Sequence, residues 1–436
     1  MKVEFIETLV YFIFVLGVLV FVHELGHFLV AKKSGIRVEQ FSLGFPPKAF
    51  GITVGETEYC ISWLPLGGYV KLAGMSDFGN EEVKNKPWEF QSKSRAVQAA
   101  VMAAGPAMNF LLGFLLILGI RLGAGEEVLQ ITQIGRVEPG SQLAGYGIGD
   151  GDRILSVDGT AVNDWQQLIQ SLRGAPTVSV DVLTADGDAR TIRISTDPSV
   201  GLGIEPLLTS TAGSLVPGYP AAKAGIIAGD RIVSVDGMAV DQWAIMRERI
   251  STRPGMEIEI RWIRDGAELS AQIVPKPEVT EKGTIGLIGI GPSLQPTMRV
   301  PVSLGVAIER SGQDLVGYTT LMFTIVKRLV FGEMSGRLLA GPVGIAQMAG
   351  AKARQGWEAL LDFMAMLSIN LAVLNLLPIP ALDGGHLMIL SAEAVTRRSL
   401  SVRQKEVLQQ AGFALLLCLM VYVTFGDIGR ILGWFN

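Results

Sequence analysis

Residues 8–27 read Thr8-Leu-Val-Tyr-Phe-Ile-Phe-Val-Leu-Gly-Val-Leu-Val-Phe-Val-His23-Glu24-Leu25-Gly26-His27. No charged side chain occurs from Thr8 to Val22, so the run is read as a bilayer-spanning helix that ends in a polar pattern. On a helix, histidines four residues apart share one face. There His23 and His27 can both hold a zinc ion, with Glu24 beside them to take a proton from water. A five-residue pattern of this kind is only moderately specific, and its place in an apolar run is what makes it informative. Two of the three histidines in the chain lie in it.

The 436 residues are 49% hydrophobic with a mean hydropathy of +0.39, too apolar for an ordinary soluble protein. Yet 18% are charged, so a large part should face water. A net charge of −4 gives no reason to expect nucleic-acid binding. Cys60 and Cys418 fall in a loop and in an apolar run, which offers no disulfide framework and no zinc-thiolate site. Lys2 ahead of an apolar run raises a signal peptide. The run outlasts a usual h-region and reaches Lys32-Lys33 without a small-x-small cleavage site, so it is read as a retained anchor.

Four apolar runs qualify as membrane helices: 5–31, 97–120, 360–390 and 407–432. Pro378 and Pro380 interrupt the third. Basic residues gather between the first and second runs (Lys32, Lys33, Arg37 and Lys84 among them) and between the third and fourth (Arg397, Arg398, Arg403, Lys405). The positive-inside rule then puts both loops in the cytoplasm and the termini and segment 122–357 outside. In a bacterium with two membranes, outside is the periplasm. A fifth crossing at 315–331 would reverse the last two runs against their basic loop, so a surface-lying helix is expected there.

The loop between the first two runs holds short strands at 38–41, 50–54 and 59–63, then Leu64-Pro-Leu-Gly-Gly-Tyr-Val70. Two readings stand: a small soluble hairpin sheet, or a sheet dipping toward the membrane beside the histidines. The second is tolerated where such backbone lines a protein-walled cavity.

The central segment repeats itself. Gly151-Asp-Arg-Ile-Leu-Ser-Val-Asp-Gly159 recurs as Gly229-Asp-Arg-Ile-Val-Ser-Val-Asp-Gly237, and Pro139-Gly140 recurs at Pro217-Gly218, 78 residues on. Two copies of one domain follow. The pattern resembles the PDZ domain, which captures chain ends by adding a strand to a sheet edge. Gly201-Leu-Gly-Ile204 and Gly286-Leu-Ile-Gly-Ile290 are then either carboxylate loops or ordinary strand-end glycines, and peptide C-termini are candidate ligands. The copies could instead act mainly as bulky guards.

The third run contains Leu374-Asn-Leu-Leu-Pro-Ile-Pro-Ala-Leu-Asp383-Gly-Gly-His386. Ionisable groups at a membrane helix centre cost about 2.5–3.5 kcal/mol each, so His23, Glu24, His27 and Asp383 call for mutual pairing, a wet cavity or a metal. Along helices of 1.5 Å rise, His23 lies about 27 Å and Asp383 about 32 Å from the outer ends of their runs, at similar depth. Two histidines and one carboxylate leave a fourth tetrahedral position open, as catalytic zinc sites do.

His23-Glu-Leu-Gly-His27, Gly105-Pro-Ala-Met-Asn109, the repeat pair and Asn375-Leu-Leu-Pro-Ile-Pro-Ala-Leu-Asp-Gly384 occur together in the site-2 protease family of intramembrane metalloproteases. The resemblance spans essentially the whole chain. It implies a zinc endopeptidase with His23, His27 and Asp383 as ligands and Glu24 as catalytic base. It further implies that Asn370, Asn375, Pro378 and Pro380 shape or clamp the substrate. The asparagines could also simply bond neighbouring helices. Asn109 is read as a packing brace, with a direct role in the site as the alternative, and His386, which could touch the site or serve local structure, is not required as a ligand. Implied substrates are single-span membrane proteins, such as an anti-sigma factor already shortened outside, and leftover signal peptides.

The expected fold is a multi-domain polytopic membrane protein of the bacterial inner membrane. It has a four-helix α-helical membrane core (1–31, 97–120, 360–390, 407–432) and a β-rich cytoplasmic or re-entrant loop (32–96). Two periplasmic PDZ-like domains (126–205, 206–292) and a periplasmic amphipathic-helix region (293–357) complete it. The competing function is a membrane-tethered PDZ adaptor or quality-control scaffold with a non-catalytic metal site. Glu24 speaks against it, because a structural site needs no base.

Overall fold

The structure, a computed structural model, describes residues 2–75, 86–195, 197, 201–216, 218–280, 283–333, 339–398 and 400–432. Lys84 of the first basic loop and Pro217 of the second repeat lie outside the described residues. Two compact units emerge, Met1–Gly125 with Pro301–Asn436, and Glu126–Val300. The helices in chain order are α1 (Lys2–Lys33), α2 (Arg95–Ala124), α3 (Trp165–Arg173), α4 (Pro220–Lys223), α5 (Trp243–Ser251), α6 (Leu304–Val330), α7 (Pro342–Gln355), α8 (Trp357–Asn375), α9 (Asp383–Thr396) and α10 (Val402–Ile431).

In the first unit, four helices among the described residues are long and apolar enough to cross a membrane: Glu4–Lys33, Arg95–Ala124, Trp357–Asn375 and Arg403–Arg430. Their outer faces display large apolar side chains such as Phe5, Val10, Leu115 and Val421, which suits contact with lipid rather than water. Helix α6 is not among the four, and it carries Glu309, Arg310, Asp314, Lys327 and Arg328. Helix α2 is central, packed against α1 and α8. Small residues let the backbones close up. A Cβ on Gly26 would lie 2.4 Å from Ala104 O, and one on Gly113 would lie 2.7 Å from Ile369 Cγ1.

The third apolar run is not the single helix over 360–390 that hydropathy suggests. Helix α8 stops at Asn375, residues 376–382 form an irregular turn, and α9 starts afresh at Asp383. The prolines explain the break, since Pro378 and Pro380 offer no N–H and disfavour helix at the residue before them. Gly384 and Gly385 then let the turn fold onto the start of α9. A Cβ on either would meet backbone carbonyls, Leu376 O at 2.3 Å and Ile379 O at 2.2 Å.

The loop after α1 forms an antiparallel sheet from two long, bent strands, Val38–Val54 and Thr57–Leu72. Phe41 pairs with both Tyr59 and Val70, so the 38–43 segment lies between 58–61 and 68–72. The 68–72 segment is therefore an edge. Among the described residues no further strand pairs with it.

The second unit holds the repeat, each copy with a four-stranded antiparallel sheet and its own apolar core. Ile154, Leu168, Leu172 and Val180 fill the first copy, and Ile232, Met246, Ile250 and Ile260 the second. The repeated aspartates tie down backbone N–H groups. Asp158 and Asp236 sit at left-handed turn positions and accept from Ser179 N and Glu259 N at 2.7 and 2.8 Å. Asp152 and Asp230 accept from Gly149 N and Ile227 N at 3.0 and 2.8 Å. Thr297–Val300 pairs with Glu126–Leu129, joining the end of the unit to its beginning.

Asp230 is 1% exposed, and Arg264 donates to both of its oxygens, at 2.8 and 2.6 Å. Burial alone would push its carboxyl up. The Arg264 guanidinium and the Ile227 N–H outweigh that and hold it below the usual carboxylate range. Stability from this pair is thus present above the unfolded pKa of about 3.9 and is lost as pH falls through the lower folded value. Residues 126–300 are expected to fold as a separate soluble fragment. In urea unfolding, Asp230→Asn should cost it about 2 kcal/mol at pH 7, less than the fully buried case because Arg264 is partly exposed. The variant should also lose less stability than the parent on acidification below about pH 4.

Candidate active site

His23 and His27 lie on one face of α1 and are both buried. Asp383 is the first residue of α9, where the helix dipole favours a carboxylate. The three meet. His23 Nε2 is 3.1 Å from Asp383 Oδ2, His27 Nε2 is 3.4 Å from Asp383 Oδ1, and the two Nε2 atoms are 3.2 Å apart. Asp383 Oδ2 is buried without a hydrogen-bond partner among the described residues despite that proximity.

These distances test whether a metal fits. Ligand atoms of a tetrahedral zinc site with spokes of about 2.0–2.1 Å stand about 3.3 Å apart. The two Nε2 atoms match that spacing at 3.2 Å, and each has one oxygen of the Asp383 carboxylate at 3.1 or 3.4 Å. His27 Nδ1 donates to Val101 O at 2.7 Å, so its one neutral-state proton is on the outer nitrogen and Nε2 keeps a lone pair. Two nitrogens and a carboxylate oxygen are a zinc donor set, and a metal held there would give the unpartnered Oδ2 a ligand to bind.

Helix α2 forms the wall behind the imidazoles. A Cβ on Gly105 would lie 2.3 Å from His27 Nε2 and 2.7 Å from His23 Nε2, so only glycine lets both rings reach their positions. Asn109, fully buried, lies beside His23, and Ser368 Oγ of α8 donates to its backbone carbonyl at 2.8 Å. Asn109 thus touches both a neighbouring helix and a site histidine, so both alternatives raised for it from sequence remain open.

In front of the histidines is a cavity of about 500 Å³. Glu24 lines it, as do Gly67–Val70 of the sheet edge, Asn375 at the end of α8, and His386. Gly68 is pressed against α1, where a Cβ would lie 2.8 Å from Val20 Cγ1 and 3.3 Å from Glu24 Cγ. Asn370, Pro378 and Pro380 do not line it, although the two prolines build the turn that presents Asp383. His386 faces α10 through Gln409 Nε2, 3.3 Å from its Nε2. Sequence reasoning gave no role to Val101 O or Gly105. A carbonyl leaves no residue signature, whereas a glycine inside an apolar helix is a signal of close approach.

The model of peptidase family M50 matches residues 11–419, and the chain belongs to that family, the site-2 proteases, as a metalloprotease. Its relatives agree along their whole length. The regulator of sigma-E protease RseP of Escherichia coli K12 is 32% identical, covering 98% of this chain and 100% of its own. Protease RseP of Yersinia pestis is 33% identical, over 97% and 99%. A Neisseria meningitidis serogroup A protein, provisionally named a zinc metalloprotease, is 35% identical over 98% and 100%.

The wall predicts a sharp contrast between two glycines of α2. Gly105→Ala should reduce bound metal and lower proteolytic turnover by about tenfold or more. Gly119→Ala, with nothing among the described residues within 4 Å of its added Cβ, should leave both unchanged. Metal analysis of the purified protein alongside a cleavage assay reads the difference.

Proposed function

We propose that the chain is a zinc-dependent intramembrane endopeptidase cutting the transmembrane segments of single-span proteins. His23, His27 and Asp383 hold the metal, and Glu24 is the general base. The observation that carries this is the convergence of three ligand-type atoms on a cavity that Glu24 also lines, inside an otherwise apolar helix bundle.

A bound zinc ion would supply Lewis-acid polarisation and lower the pKa of water from about 16 to about 7. Glu24 takes the proton from the attacking water and passes it to the leaving amine. A transmembrane helix hides its peptide bonds in its own hydrogen bonds, so the substrate has to be held extended. The 68–72 edge, beside Glu24 and without a further strand partner among the described residues, is suited to pair with it by strand addition. Asn375, at the cavity, bonds the substrate backbone. Asn370 supports that end of α8, and Pro378 and Pro380 act by holding the turn before Asp383.

The names of the Escherichia coli and Yersinia pestis relatives support a place in sigma-E control, with an anti-sigma factor already shortened outside the membrane as substrate. Remnant signal peptides are a second class. The repeat copies, read as PDZ-like domains, screen out substrates with intact external domains and are candidates to bind peptide C-termini. The basic loops support an inner-membrane topology with both termini and the repeats in the periplasm and the site near the cytoplasmic side. The adaptor alternative leaves Glu24 and the cavity without a task.

Purified protein should cleave a single-span reporter within its membrane segment, and a chelator should stop it. Glu24→Gln should lower the rate by about 10²–10⁴-fold while zinc content and helicity stay at the parent level. Full activity in that variant overturns the mechanism.

A further inference from the structure

Asn109 is 0% exposed, and its Nδ2 lies 3.3 Å from His23 Nδ1. Its Oδ1 is buried with no hydrogen-bond partner among the described residues. A buried carboxamide oxygen without a donor is uncommon, and here the donor it lacks is one atom away. In a neutral imidazole one nitrogen carries the proton and the other a lone pair. His23 Nε2 points at Asp383 Oδ2 and His27 Nε2, so to hold a cation there it has to present its lone pair. The proton is then on Nδ1 and requires an acceptor. A half-turn of the Asn109 carboxamide exchanges its nearly isosteric N and O atoms and places Oδ1 at that nitrogen.

We infer that Asn109 is the positioning residue of His23, its Oδ1 accepting from Nδ1–H so that Nε2 is left unprotonated toward the metal. This rests on the metal-site reading above. His27 has the matching arrangement through Val101 O at 2.7 Å. Val101, Gly105 and Asn109 are spaced by four on α2, hence on one face. The outer two orient the rings and the middle one clears space for them. The helix is held in place from behind by Ser368, whose hydroxyl donates to Asn109 O at 2.8 Å.

The test measures zinc affinity of the full-length protein in detergent by competition with a fluorescent chelator, with no substrate present. Asn109→Leu, close in size and without an acceptor, should weaken binding by about 10–100-fold. Asn109→Asp, which can only accept, should retain the parent affinity. Equal affinity in the Leu variant overturns the inference. So does an Asp variant as weak as the Leu one, since that outcome makes the amide's donation the feature that matters. Asp383→Ala serves as the reference: if it leaves zinc affinity intact, the metal-site reading itself fails, whatever Asn109 does.

A second measurement needs no variant. The chain has three histidines, so 15N-histidine labelling of the zinc-loaded protein gives a spectrum of few signals. His23 should show a protonated Nδ1 and a metal-bound Nε2. A proton on Nε2 of His23 in the loaded protein overturns the inference even if the Leu variant proves to be misfolded.

Discussion

His23 Nε2, His27 Nε2 and the Asp383 carboxylate meet within 3.1–3.4 Å among helices whose remaining surfaces are largely apolar. Each such group alone would cost about 2.5–3.5 kcal/mol near the middle of a membrane helix. Brought together, they share hydrogen-bonding and metal-binding capacity that none has in isolation. Much of the first unit's packing follows from this meeting. Helix α1 has to approach α2 closely enough for two imidazoles to fit between them, and glycine at 26 and 105 permits it. The third apolar run has to stop being a helix just where the carboxylate is needed, so that α9 can begin with Asp383 at its N-terminus.

Breaking a helix inside an apolar bundle exposes backbone groups, and the turn at 376–382 shows how they are paired. Ile379 N donates to Leu377 O at 2.7 Å, Leu382 N to Ile379 O at 2.8 Å, and Gly385 N to Leu382 O at 2.9 Å. Pro378 and Pro380 reduce the number of donors that need partners. Non-helical backbone at such a place is acceptable where it is covered by protein or lines a cavity, and this turn leads directly into one. The sheet edge at 68–72 satisfies the same condition from the other side of the cavity. Irregular backbone and site chemistry coincide because the cavity makes both affordable.

Different physical signals in the sequence had different reach. The pair His23 and His27 was legible because helical spacing converts four residues into one face. Asp383 was legible because an acid in an apolar run demands a partner. The repeat was legible by self-similarity, and its aspartates turn out to act on backbone N–H groups 3 to 33 residues away. What could not be read is whatever depends on contacts between distant segments. Hydropathy averages over a window, so it merged α8, the turn and α9 into one run. Strand propensity found pieces of 38–72 but not that 38–43 is sandwiched between two segments of one bent strand. The role of Gly105 rests on imidazoles 82 and 78 positions away, and no local pattern encodes that.

The two four-residue spacings that face each other explain why α2 tolerates so little. On α1, one interval sets the separation of the histidine rings. On α2, two intervals from Val101 to Asn109 set the separation of the groups behind them. A rotation of α2 about its axis, or a shift along it by one residue, would move a side chain into the place of Gly105 and carry both outer partners off their nitrogens. The anchoring of α2 by close packing at Gly26 and Gly113 is therefore part of the site's geometry. Helix packing that would elsewhere count only toward stability here determines the direction in which each imidazole presents its lone pair.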